Sequence, residues 1–135
     1  MHILDSDNDL ITEIAKACDL CMKPWRHSVV DNSPKSTPSS EDDFLDMTLR
    51  VECRDEDGER LPENDLELEI FKSGDDLSIT LAWLSFPDRQ ILWHGKHSIW
   101  MDSESGKRST MPNGGSCLEA LARRIRALFD FESEY

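Results

Sequence analysis

Residues 45–54, LDMTLRVECR, place an apolar side chain at every odd position: Leu45, Met47, Leu49, Val51 and Cys53. Asp46, Thr48, Arg50, Glu52 and Arg54 alternate with them. A period of two marks a strand with one face buried and the other in water. The same grammar continues downstream. Asp55-Glu56-Asp57-Gly58 reads as a turn, and Leu66, Leu68 and Ile70 alternate with Glu67 and Glu69 in a second strand. Ser73-Gly74-Asp75-Asp76 turns into Leu77–Leu84, which is apolar on both faces, as a central strand should be. Phe86-Pro87-Asp88 leads to a strand at Gln90–His94. Gly95-Lys96 then suits a two-residue hairpin turn, with His97–Met101 returning beside it.

Helices flank these strands. Leu10, Ile11, Ile14, Ala17, Cys18, Cys21 and Met22 make one apolar stripe over about Asp7–Met22, with Ser6 or Asp7 as cap and Pro24 as stop. Near the other end, Ser116 opens a helix with Glu119 at the capping-box position. Leu118, Leu121, Ala122, Ile125, Leu128 and Phe129 form its stripe. The expected fold is α+β: an antiparallel meander of four to five strands packed on a C-terminal amphipathic helix, with an additional N-terminal helix. Residues 1–30 form the N-terminal helix region and 31–43 (DNSPKSTPSSEDD) a polar linker. Residues 44–135 carry the meander and last helix, and the 135 residues make a single domain overall.

Charge is distributed unevenly. Residues 1–88 hold 22 Asp or Glu against 8 Lys or Arg, whereas 89–135 hold 6 against 7. The formal net charge is −13 and the pI about 4.6. Nucleic-acid binding draws on Lys and Arg displacing counterions, and adsorption to anionic lipid has the same need, so neither is expected. The fitting charged partners are basic proteins, basic peptides or cations. Met1-His2-Ile3-Leu4-Asp5 lacks the basic and apolar regions of a signal peptide, which predicts a cytoplasmic chain with reduced thiols at Cys18, Cys21, Cys53 and Cys117.

The densest chemistry lies in Trp93-His94-Gly95-Lys96-His97-Ser98-Ile99-Trp100. With a two-residue turn, His94 and His97 face each other across the hairpin neck; on a straight strand they point to opposite faces. Cys18-Asp19-Leu20-Cys21 is a CxxC, but both thiols lie on the apolar stripe of a helix and read as buried and inert. Cys18, Cys21, His94 and His97 are the four donors that would suit zinc if brought together. No metal site, cofactor or catalytic residue is otherwise called for. Pro112-Asn113-Gly114-Gly115-Ser116 matches no phosphate-loop fingerprint and reads as a flexible loop before an ordinary cap.

Apolar residues on both faces of the later strands leave one face for the C-terminal helix. The other must be covered by the first helix, a second copy of the chain, or a partner. The expected function is a protein-binding module of adaptor, chaperone or inhibitor type. Its surface would combine the acidic Glu67 and Glu69 with the aromatic-rich Trp83, Trp93, His94, His97 and Trp100. The alternative is a small metal-binding or enzymatic domain built around His94 and His97.

Overall fold

A computed structural model of the chain describes residues 7–33 and 44–129. In chain order the elements are α1 (Asp7–Cys21), β1 (Arg26–Asp31), β2 (Phe44–Arg54), β3 (Leu66–Ser73), β4 (Asp76–Trp83), β5 (Ile91–His94), β6 (Ser98–Met101), β7 (Arg108–Ser109) and α2 (Gly115–Ala127). All seven strands lie in one sheet, in sequence order, each antiparallel to the next. The class is α+β, with a longer meander than the four to five strands expected. No helix among the described residues is long and apolar enough to cross a membrane.

The two added strands have weak sequence signals. In β1 the inward positions are His27, Val29 and Asp31, so only one of three is apolar. His27 is nonetheless buried, because its Nδ1 stands 3.0 Å from Oδ1 of Asp19 on α1. The pairing runs on past Asp31: the Asn32 amide donates to the Thr48 carbonyl at 2.8 Å, and the Thr48 amide donates to Ser33 Oγ at 2.9 Å. The first residues of the expected linker are therefore part of the sheet edge, while 34–43 lie outside the described residues. The second addition, β7, is two residues long, too short for any periodicity to register.

Both helices cover the same face of the sheet. Leu10, Ile14, Ala17 and Cys18 of α1 join Leu118, Leu121, Ala122 and Ile125 of α2 in one core with the inward residues of β2–β6. Leu49, Val51, Leu68, Ile70, Ile79, Leu81 and Leu92 are fully buried there. Each such side chain contributes roughly 1.5–3 kcal/mol of burial free energy, enough to set the register of every strand.

That register also decides the hairpin. Leu92 pairs with Trp100 and His94 with Ser98, so the turn holds three residues, Gly95, Lys96 and His97. A two-residue turn would shift the pairing by one and send Trp100 to the opposite face. Trp100 instead packs beneath α2, stacked on Trp83 with ring centroids 6.3 Å apart, and its Nε1 donates to Glu119 at 2.7 Å. Glu119 thus holds the sheet to the helix rather than closing a capping box. The residue before α2 is Gly114, in the left-handed region at φ 82°, with no side-chain cap.

A second polar tie secures the β2–β3 end. Asp65 is 1% exposed and accepts from the Cys53 amide at 2.9 Å, from Arg60 at 2.8 and 3.0 Å and from Arg50 at 3.2 Å. Burial opposes its ionisation, but the hydrogen bonds from Arg60, the Cys53 amide and Arg50 outweigh it and hold the carboxyl below its ordinary value.

Candidate binding face

Since both helices share one side, the alternate residues of the strands form a sheet face that no helix among the described residues covers. Reading across the register, Asp46, Phe71 and Ser78 form one row on it. Thr48, Glu69, Thr80, Trp93 and Ile99 form the next. Arg50, Glu67 and Ala82 make a third, and Ile91, Met101 and Arg108 pair at the far side. The face is divided by chemistry. Asp46, Glu67 and Glu69 stand on β2 and β3, and Ile91, Trp93, Ile99 and Met101 on β5 and β6.

Between these two sets, β4 presents Ser78, Thr80 and Ala82, with Asp76 at its end. Small side chains flanked by larger ones make a shallow trough along β4. Its walls are two strand spacings apart, about 10 Å, which is the width of an extended segment or one helix. The wall on β5 includes Trp93, 36% exposed, and the wall on β3 ends at Phe71, 42% exposed.

The glutamates of the acidic wall, Glu67 and Glu69, lack ion-pair partners among the described residues. Arg50, opposite Glu67 in the register, is engaged by Asp65 at 3.2 Å and Glu52 at 3.5 Å. Partial burial raises the Glu69 carboxyl above its ordinary value, and repulsion from Glu67 and Asp46 adds to the shift. A cation delivered to this wall would offset the repulsion at Glu69.

The residues singled out in the sequence divide between two faces. Glu67, Glu69 and Trp93 share the open one, and His97 is exposed in the adjoining turn. Trp83 and Trp100 are buried under the helices, and the Arg89 guanidinium covers the Trp83 ring at 4.0 Å. His94 is 5% exposed on the helix side, with its Nδ1 unpartnered. Burial lowers its pKa, and the nearby Arg126 charge lowers it further. Ile91, Ile99, Met101, Phe71 and Asp46 belong to the open face and are absent from the surface expected from sequence. Their parity is visible in each strand, but which parities share a face depends on the register across the 84–90 connection.

The four zinc-suited residues are not brought together: no group of three or more His, Cys, Asp or Glu able to hold a metal ion occurs among the described residues. Cys18 and Cys21 belong to α1, with Cys18 fully buried in the core. Burial raises the Cys18 and Cys21 thiols, and burial with the Asp65 charge pushes Cys53 up to about 11. Such thiols stay protonated at neutral pH, which suits packing rather than nucleophilic or ligand chemistry.

Over residues 11–128 the chain matches the model of a family described as Domain of unknown function (DUF8659). The chain belongs to this family. The match runs from within α1 to the end of α2, so it takes in the covered and the open face alike. No curated protein and no solved structure matches the chain.

Proposed function

We propose that this protein is a cytoplasmic protein-binding module whose open sheet face docks a basic, partly apolar segment of another polypeptide. The observation that carries this reading is the pairing of an acidic wall, whose glutamates have no ion pair among the described residues, with an apolar wall across the β4 trough. The two walls ask for different things of one ligand. Glu67 and Glu69 favour Lys or Arg, while Ile91, Trp93 and Ile99 favour an apolar stripe about 10 Å away. A basic amphipathic helix or strand offers both. The net charge of −13 adds long-range attraction for such a partner and repels a second copy of the chain.

The test is capture of partners by the full chain from its source cells, followed by cross-linking mass spectrometry. Wild-type protein should yield a partner cross-linked to β3–β6, and the paired change Glu67→Lys with Glu69→Lys should abolish it. Raised salt should weaken the complex. Arg123→Ala, on the exposed side of α2, serves as a control and should leave capture unchanged. Capture that survives the paired change, or cross-links confined to the helices, would overturn the reading. So would a homodimer closed through this face.

A further inference from the structure

One end of the open face deepens into a half-open cleft that shares Phe71, Trp93 and Ile99 with it. β4 runs beyond the last residue of β5: Asp76, Leu77 and Ser78 pair with β3 but meet no strand on their other side, because the β5–β6 hairpin has already turned. The interrupted pairing leaves a cleft of about 530 Å³. That is within the range of small-molecule sites, roughly 300–1,000 Å³.

Its wall is apolar, formed by Phe71, Leu77, Trp93 and Ile99. The Trp93 ring lies across Gly95 so closely that a Cβ on Gly95 would fall 2.5 Å from it. Glycine is therefore what lets the Trp93 ring pack against the turn beside the cleft. Charges of both signs reach the cleft from separate elements. Lys96 comes from the β5–β6 turn, Arg126 from α2, Asp75 from the β3–β4 turn and Asp76 from the start of β4. Arg126 is held in place, because its Nη1 donates to the Leu77 carbonyl at 2.8 Å. Among the described residues, none of these cations is ion-paired with either aspartate.

A simple anion would meet Asp75 and Asp76, and a simple cation would meet Lys96 and Arg126. Only a ligand carrying both signs satisfies both sides. We propose that the cleft binds an apolar zwitterion, an α-amino acid with an aromatic or aliphatic side chain. The carboxylate faces Arg126 and Lys96, the ammonium faces Asp75 and Asp76, and the side chain lies on Trp93. This site does not depend on the partner-protein reading and is tested on the chain alone.

L-phenylalanine, 3-phenylpropionate (no ammonium) and phenethylamine (no carboxylate) are titrated into the full chain, followed by NMR shifts of the tryptophan indole protons. Phenylalanine should saturate a single site and move the Trp93 signal. Each truncated probe should bind about tenfold or more weakly, the loss expected for one charge-assisted contact. Asp75→Asn with Asp76→Asn should reduce phenylalanine to the level of 3-phenylpropionate, and Lys96→Met should narrow its advantage over phenethylamine. These residues are exposed in or beside turns, and the unchanged dispersion of the remaining signals checks that the variants stay folded. The proposal fails if phenylalanine, leucine and tryptophan all show no saturation by about 10 mM, a limit corresponding to less than about 3 kcal/mol of binding. It fails equally if the truncated probes bind as well as phenylalanine, which would leave an apolar wall without charge recognition.

Discussion

Along β3, Leu66, Leu68 and Ile70 are sealed beneath two helices, while Glu67, Glu69 and Phe71, one residue away in each case, face outward. The same contrast runs through β5 and β6, where Leu92 and Trp100 are buried and Trp93 and Ile99 are not. In β3 the outward residues are mostly charged, as an ordinary solvated face requires. In β5 and β6 they are apolar, and burial in the chain's own core does not account for them. Alternation alone thus explains one half of the sheet, and the other half calls for a different reason, which the proposed partner would supply.

Substitutions one residue apart should separate the two faces. Leu68→Ala, on the covered face, should cost about 2–5 kcal/mol in urea unfolding, because it leaves a cavity in a packed core. A cost below about 1 kcal/mol would mean the helices pack loosely there. Next in size is Asp65→Ala, about 1–3 kcal/mol, since it strands the buried Cys53 amide. Asp65 also carries a pH signature. Its carboxyl is depressed below the ordinary 3.8, so its contribution is present above that value and is lost as pH falls through the lower folded value. Acid titration should therefore destabilise wild type more than Asp65→Ala below about pH 4.

Trp93→Ala is the matching test on the open face. It should cost about 1 kcal/mol or less in the same unfolding assay, while removing partner capture and amino-acid binding together. A cost comparable to that of Leu68→Ala would move Trp93 into the structural half of the sheet and weaken the docking argument.

The covered face was largely legible in the sequence because burial enforces periodicity: all five expected strands and both helices follow their apolar positions. What escaped was determined by partners rather than by pattern. β1 looks polar until Asp19 is seen beside His27, and Glu119 looks like a cap until Trp100 is seen to claim it. The three-residue turn at Gly95–His97 follows from the need to keep Leu92 and Trp100 on one side, a tertiary demand that no local turn preference states. The candidate surface was half legible for the same reason. Glu67, Glu69 and Trp93 are recognisable by type, but only the β3–β4–β5 register places them on one face and removes Trp83, His94 and Trp100 from it.

The smallest expected effect is the most specific. Glu69 has a folded pKa above its ordinary 4.5, through burial and the charges of Glu67 and Asp46. Its stabilising contribution is therefore complete below 4.5 and is lost as pH rises through the folded value, so at neutral pH the ionised group opposes folding. Glu69→Gln removes that opposition. Because the group is exposed and screened, the gain at pH 7 should be small, about 0.5 kcal/mol or less, shrinking further in high salt and vanishing below about pH 4.5. The same change should weaken partner capture. A residue whose replacement strengthens the fold and weakens binding has been kept for what it meets outside the chain. If Glu69→Gln instead leaves capture intact, the acidic wall belongs to solvation, and the apolar strip on β5 and β6 alone would have to hold the partner.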